Sequence, residues 1–374
     1  MITTLVLILI ISYLIAIGSL SLGFDKVDDF NLQDKPSVHP FSVIIPFRNE
    51  AKHLERLLLS IQNLNYPKSL FEVIFINDHS DDQSVAIIEA YISKYRLDHI
   101  TLIHTEEEGK KSAIHFGISH AKYEWIVTTD ADCSVPKYWL DSYDEFIQSY
   151  ESKLIAGPVT FAPAHTFLDR FQLLNLLSLQ GATIGAFGIH KPMLCNGANM
   201  AYLKSVFYDI NAYDGNSNLA SGDDVFLLEK VRKQHPEHVH YLKTSQAIVT
   251  TPPETSFETL KTQYIRWASK TKYYKYGFTK LIGLIVFLGN ALLIALIPLA
   301  IIEALSVQYA FYIFVIKLSI DFLLIFKSAR FFKQENALLS YLFSALLYPF
   351  FSIYVAVLSQ FIITKWKGRP IKKT

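Results

Sequence analysis

Residues 1–24, 281–302 and 337–364 of this chain contain no Asp, Glu, Lys or Arg. Each can cross a hydrocarbon core, which needs about 20 apolar residues. Uncharged segments at both ends rule out an ordinary soluble globule. Residues 1–24 are expected to form a retained N-terminal transmembrane helix. No Lys or Arg precedes the apolar run, and the run is long for a signal-peptide core. Residues 281–364 are expected to form a C-terminal membrane region of about three apolar segments, the middle one near 309–326. The overall balance of 51% hydrophobic and 18% charged residues comes from these stretches. Between Asp25 and Lys280 the composition is that of a globular protein, which places one soluble domain at 41–275. A net charge of +1 offers nothing to nucleic acid. The two cysteines, Cys133 and Cys195, lack metal spacing and read as reduced thiols in a cytosol-facing domain.

Within the soluble part, strand-like and helix-like runs alternate. "FSVIIPFRNE" (41–50) is a β-branched run stopped by Pro46, so a buried strand and then a loop. "AKHLERLLLSIQNL" has helical leucine spacing. "FEVIFINDHSDD" is a second strand ending in acids, and "SVAIIEAYISKY" a second helix. "HITLIHTEEEGKKSAIHFGISHA" gives strand, loop and helix; "YEWIVTTDAD" is the next strand. This order predicts an α/β fold with a doubly wound, mostly parallel sheet and a site along the carboxyl ends of its strands. No G-x-G-x-x-G follows the first strand, which argues against a dehydrogenase.

Polar residues collect where the strands should end. Asp130 and Asp132 stand one residue apart, so on extended backbone their carboxylates point to the same side. Such a pair either caps a solvated turn or shares a divalent cation; Mg²⁺ and Mn²⁺ both favour carboxylate and phosphate oxygens. Asp78 ends the preceding strand and is suited to accept hydrogen bonds from a base or ribose. Gly109 with Lys110 or Lys111 makes a turn with cations suited to phosphate. Asp223 and Asp224 precede a helical run, either as an N-cap or with one of them a general base. Gln263, Arg266 and Trp267 share one helix face at i, i+3 and i+4. Trp267 fits either a membrane-interface anchor or a platform for a sugar ring.

Taken in order, these pieces resemble a family 2 glycosyltransferase. The residues that carry the resemblance are Pro46 to Glu50, Asp78, Gly109 with Lys110, Asp130-Ala131-Asp132, "NGANMAY" (196–202), Gly222-Asp223-Asp224 and Gln263-x-x-Arg266-Trp267. The likeness is to the membrane-embedded branch, which includes ceramide glucosyltransferases and the cellulose, hyaluronan and poly-N-acetylglucosamine synthases. It implies a GT-A, nucleotide-diphospho-sugar transferase-like fold. It also implies metal-dependent transfer of a sugar from a nucleotide-diphospho-sugar, commonly UDP-linked, with inversion at the anomeric carbon. By the same resemblance Asp78 and Glu50 touch the nucleoside, and Pro46 and Lys110 belong to the donor site. Asp130 and Asp132 flank the diphosphate and hold Mg²⁺ or Mn²⁺, with Asp132 the closer ligand. Asp224, beside Asp223, takes the acceptor proton. Asn196, Gly197 and Asn199 lie in the acceptor region. Gln263, Arg266 and Trp267 close over the diphosphate and the acceptor end.

The chain departs from the family pattern at three points. Asp223-Asp224 stands for the Glu-Asp common in processive synthases. His115 stands where an Asn usually ends the lysine loop. Only three apolar segments follow the Arg-Trp pair, fewer than a polymer channel normally needs. The expected acceptor is therefore a membrane lipid or lipid-linked glycan; the alternatives are a chain-extending polysaccharide synthase and, outside the enzymes, a nucleotide-regulated transport or scaffold protein.

Nucleotide sugars are cytosolic, so the domain is expected on the cytosolic side, and the compact chain favours a bacterial plasma (inner) membrane. Basic residues at 272–280, and a loop holding Lys327, Arg330 and Lys333, fit the positive-inside rule. Lys317 and Asp321 sit at i and i+4 in the middle segment, either a functional pair or a self-satisfying one. Three crossings put the basic tail outside, which suggests a break at Pro349 into a re-entrant element.

Overall fold

The computed structural model describes residues 2–214 and 222–362, and the backbone of 365–366 and 369–370. Residues 363 and 364 of the expected membrane region, and the side chains of the basic tail, lie outside the described residues. Along the chain run α1 (Ile2–Lys26), β1 (Phe41–Phe47), α2 (Leu54–Gln62), β2 (Phe71–Asn77), α3 (Ser84–Tyr95), β3 (Ile100–His104) and α4 (Lys110–His120). There follow β4 (Trp125–Thr128), α5 (Trp139–Ser149), β5 (Leu154–Ala156), β6 (Val159–Phe161), α6 (Phe167–Gly188), β7 (Met200–Leu203), α7 (Lys204–Asp209) and α8 (Asp223–Gln234). Last come β8 (Val239–Tyr241), β9 (Val249–Thr251), α9 (Phe257–Lys270), α10 (Gly277–Ile301), α11 (Val307–Phe331) and α12 (Tyr341–Phe361). The chain divides into two compact units. One comprises residues 1–27, 163–193 and 253–364; the other comprises 28–162, 194–252 and 365–374. The expected domain of 41–275 is thus interrupted: α6 and α9 belong with the apolar helices.

The α/β unit is built on a seven-stranded sheet of order β3-β2-β1-β4-β7-β5-β8. The first four strands are parallel, and β7 runs antiparallel to both of its neighbours. Strand β1 is apolar on both faces because both are covered. Phe41, Val43, Ile45 and Phe47 join a core with Leu54, Leu57 and Ile61 of α2 and Trp139 and Tyr143 of α5. Ile44 meets α4 at Gly117, where a β-carbon would lie 3.1 Å from it.

Pro46 does not stop β1; the strand runs on to Phe47. The carbonyl of Phe47 accepts from Asp78 on the β2 side, so Pro46 faces β4. The ladder with β4 ends at Ile44, and the missing N–H of Pro46 has no partner to lose.

Ahead of β1, residues 28–40 form a strap held by two buried acids of α5. Asp144 accepts from the amides of Val38 and His39 at 3.1 and 2.9 Å, and Glu145 from those of Gln33 and Lys35 at 2.6 and 3.1 Å.

The helical unit contains α1, α6 and α9 to α12. Among the described residues, Ile2–Lys26, Gly277–Ile301, Val307–Phe331 and Glu335–Phe361 are long and apolar enough to cross a membrane. Helix α6 opens with a capping box in which Thr166 and Asp169 exchange hydrogen bonds. It crosses α1 backbone to backbone. A β-carbon on Gly185 would fall on the Leu20 carbonyl, and one on Gly188 on that of Gly23. Small residues permit such approaches between apolar helices.

Lys317 and Asp321 pair with each other at 2.8 Å. The hydroxyl of Tyr13 on α1 donates to Asp321 at 2.7 Å, and its ring lies 4.8 Å from the Lys317 ammonium. The triad ties α1 to α11. Helix α11 outruns the expected 309–326 and takes in Lys327 and Arg330, which are therefore not in a loop. Lys327 bonds the Ser21 carbonyl and Asp25 near the end of α1. Pro349 does not break α12, which is continuous through it. Its missing N–H frees only the Ala345 carbonyl, a loss that apolar helices tolerate.

Candidate active site

The parallel strands place the acids at one edge of the α/β unit. Strand β4 ends at Thr128, and the chain turns so that the Cys133 amide donates to the Asp130 carbonyl at 3.1 Å. Arg56 of α2 donates to the Asp132 carbonyl and holds this turn from behind. Both carboxylates are half-buried. Burial and then the Asp130 charge raise Asp132 above the ordinary carboxylate range, against smaller opposing effects of Lys110, Cys133 and His53. Burial is the larger cause and the neighbouring carboxylate the smaller.

Lys110 opens α4 and reaches across the edge. Its ammonium lies 2.6 Å from Asp130 and 4.0 Å from Asp223. Burial alone would lower its pKa; Asp130, Asp223 and Asp224 outweigh burial and raise it. The preceding Gly109 has φ +114°, a conformation open to glycine, and its amide donates to both oxygens of Asp78 at 3.2 and 3.1 Å. Asp78 is 1% exposed, so its carboxylate is spent in part on setting this turn.

Asp223 and Asp224 are the first two residues of α8. The cap is Gly222, with φ 87°, and not either acid. The carboxylate of Asp224 is held from two sides, by the Gly197 amide at 3.1 Å and the Val225 amide at 2.8 Å. Gly197 is fixed in turn by its carbonyl, which accepts from Thr128 at 2.7 Å. A β-carbon on Gly197 would stand 3.5 Å from both acids, so the loop and the helix start lie in contact.

Residues 42–210 match the profile of Glycosyl transferase family 2. They form a family 2 glycosyltransferase domain. Glycosyltransferase AglE of Haloferax volcanii is 28% identical over 192 residues, 50% of this chain and 60% of the relative. Poly-beta-1,6-N-acetyl-D-glucosamine synthase of Staphylococcus aureus is 28% identical over 178 residues, 44% of this chain and 40% of the relative. The chain thus spans 60% or less of the length of these curated relatives. Mannosyltransferase PcManGT of Pyrobaculum calidifontis, solved with GDP-Man and Mn²⁺, superposes with a TM-score of 0.56 at 17% identity, over 91% of this chain and 99% of that one. This likeness establishes the GT-A fold.

In this glycosyltransferase domain the loops after β1 and β2 are stapled together. The Asn49 side chain exchanges two hydrogen bonds with Asp81, at 2.7 and 2.9 Å, and the Glu50 amide donates to Ser84 at 2.8 Å. Pro46 is buried in β1 and Glu50 is half-buried. Asn196 stays half-buried beside Gly197, accepting from the Ala198 amide at 3.0 Å. Asn199 departs from its expected place in the acceptor region. It is 0% exposed, accepts from Trp139 and Tyr143, and donates to the carbonyls of Pro158 and Ala247, so it is a structural knot. His115 lies on the exposed side of α4 against Phe207 and Tyr208.

Gln263, Arg266 and Trp267 share α9 in the helical unit. Gln263 donates to Glu254 at 3.1 Å, and the ring of Trp267 stands 5.1 Å from that of Tyr264.

The donor set suits a hard divalent cation. Among the described residues no three His, Cys, Asp or Glu side chains converge. Asp130 and Asp132 are the carboxylates such an ion would use; Mg²⁺ is typically held by one or two carboxylates with substrate phosphate oxygens completing the shell. Sequence reading missed Arg56, Thr128 and the membership of α6. The T-x-x-D of its capping box was a legible start signal.

Proposed function

We propose that this protein transfers a sugar from a nucleotide-diphospho-sugar, with inversion, to a hydroxyl of a membrane lipid or lipid-linked acceptor. The observation that carries the reading is the Lys110 bridge, which brings the acidic pair after β4 and the acidic pair of α8 to one edge of a GT-A domain. Asp130 and Asp132 would hold Mg²⁺ or Mn²⁺. When bound, such an ion neutralises charge on a departing diphosphate.

An alcohol is a poor nucleophile, so the acceptor needs a base. Asp224 takes the hydroxyl proton; its orientation is fixed by the Gly197 and Val225 amides. The acceptor oxygen bonds to the anomeric carbon from the face opposite the diphosphate, whose bond to that carbon breaks. Lys110 places a positive charge beside the leaving group, which lowers the barrier as charge develops. Pro46, Glu50 and Asp78 serve the nucleoside end, Asn196 and Gly197 the acceptor side, and Gln263, Arg266 and Trp267 the diphosphate and the acceptor. The domain faces the cytosol, where nucleotide sugars are, and the helices anchor it in a bacterial plasma membrane.

A second reading, extension of a polysaccharide, is favoured by the name of the S. aureus relative. The test uses the full chain in detergent with radiolabelled UDP- and GDP-sugars and a lipid extract. Release of nucleoside diphosphate with one sugar per lipid supports the first reading. A ladder of products selects the second. No release with any donor, and no thermal shift with UDP or GDP in the presence of Mn²⁺, overturns both.

A further inference from the structure

Gln172 lies in α6, outside every motif of the family, and its side chain is 0% exposed. A glutamine so placed has to spend its amide on specific partners. Its Nε2 has a longer bond, 3.3 Å, to the Leu168 carbonyl one turn back in α6, and both ends meet the backbone of one residue outside the helix. Its Nε2 donates to the Glu254 carbonyl at 2.9 Å, and its Oε1 accepts from the Glu254 amide at 2.9 Å. This two-point clamp fixes the position and the rotation of Glu254. The Glu254 carboxylate in turn accepts from Gln263 Nε2 at 3.1 Å. Gln263 is the first residue of the Gln-x-x-Arg-Trp stretch on α9.

Capping by Ser256 fixes where α9 begins, because its hydroxyl accepts from the Thr259 amide. That bond says nothing about where the Gln263 side chain points. The clamp does: with Glu254 held, Gln263 Nε2 is drawn toward one carboxylate oxygen. Among the described residues the buried Gln263 Oε1 has no hydrogen-bond partner, which leaves an acceptor in a held orientation.

We propose that Gln172 is a positioning residue for glycosyl transfer, acting through Glu254 on the orientation of Gln263. This rests on the reading of α9 as part of the transfer machinery. Clamp and relay are separable, because Gln172 engages Glu254 through its backbone, whereas Gln263 engages Glu254 through its carboxylate.

The test measures transfer rate and melting temperature on the full chain in detergent for Gln172→Leu, Glu254→Ala, Glu254→Gln, Gln263→Ala and the double variant Gln172→Leu/Gln263→Ala. Gln263→Ala is expected to lower kcat at least about tenfold, and Gln172→Leu and Glu254→Ala to lower it severalfold in folded protein. Glu254→Gln keeps an acceptor oxygen and is expected to stay within about twofold of the parent. The double variant is expected to be no slower than Gln263→Ala alone, since residues that act as one unit are not additive. Losses that multiply in the double variant, or equal losses in Glu254→Gln and Glu254→Ala, overturn the relay and leave the role of α9 standing. Full activity of Gln263→Ala overturns the role of α9 itself, and the relay with it. Should Gln172→Leu fail to fold, Glu254→Ala against Glu254→Gln decides the side-chain link, and Gln172→Glu, which keeps the bond to the Glu254 amide and loses the other, decides the clamp.

Discussion

Lys110 Nζ lies 2.6 Å from Asp130 Oδ1, and this one contact joins the turn after β4 to the start of α4. Because the same ammonium stands 4.0 Å from Asp223, it also reaches the helix that carries the proposed base. Replacing Lys110 with Met removes the charge and keeps most of the stem. The expected result is a rate at least about tenfold lower, since an electrostatic contact of this kind contributes about 1–3 kcal/mol at a developing charge. The melting temperature is expected to fall only slightly, because both partners are partly exposed. A melt that collapses while the rate per folded molecule is unchanged would assign Lys110 to the fold alone.

Asp224→Asn and Asp132→Asn separate two roles. Asn at 224 still accepts one amide hydrogen bond, so the loop contact survives, yet it cannot take a proton. A loss of about a hundredfold or more is expected at any divalent cation concentration. In Asp132→Asn the cation requirement should change: the loss is expected to shrink as Mn²⁺ is raised. Equal, cation-independent losses in both variants would count against the division of labour.

Chelation offers a check that needs no variant. A ligand that binds only the folded state stabilises it by about 2.7 kcal/mol at a hundred times its dissociation constant. UDP or GDP is therefore expected to raise the melting temperature with Mn²⁺ and to lose most of that effect with EDTA. A shift that is the same with EDTA would show nucleotide binding that needs neither Asp130 nor Asp132 as a cation site.

Gly185→Ala tests the crossing of α1 and α6. The added methyl falls on the Leu20 backbone carbonyl, which cannot rotate away as a side chain could. Overpacking of this sort costs about 1–3 kcal/mol. A lower melting temperature in detergent is expected, whereas Gly18→Ala, with open space around it, is expected to change little. Equal melts for the two variants would contradict the close approach.

Asp144→Ala tests the strap. The change leaves the amides of Val38 and His39 without their acceptor at a site where Asp144 is 1% exposed. Val38 is exposed, so water replaces the acceptor of its amide, and the half-buried His39 amide dominates the loss, about 1–3 kcal/mol. Faster proteolysis within 28–40 should accompany it. An unchanged digestion pattern would mean that the strap is held by other contacts.

The alternation of strands and helices was legible because a sheet covered on both faces demands continuous apolar runs, and 84–95 and 71–77 read directly as α3 and β2. The apolar spans were legible for a similar reason: a hydrocarbon core sets length and composition and little else. Pro46 was misread because its effect depends on which neighbour its missing N–H would have faced, and that is set by the register against β2 and β4. Asn199 was misread because "NGAN" carries no sign of which asparagine points into the core; Trp139 and Tyr143, some 60 residues away in sequence, decide it.

By itself the sequence determined the alternating α/β pattern, the apolar ends and the acids at strand ends, because these follow from local periodicity and charge. Only the tertiary structure decided that α6 and α9 belong with the apolar helices, that Lys110 spans two acids far apart in the chain, and that Gln172 holds Glu254. Those facts depend on long-range contacts: glycines letting one backbone reach another, and side chains whose partners lie 20 to more than 100 residues away.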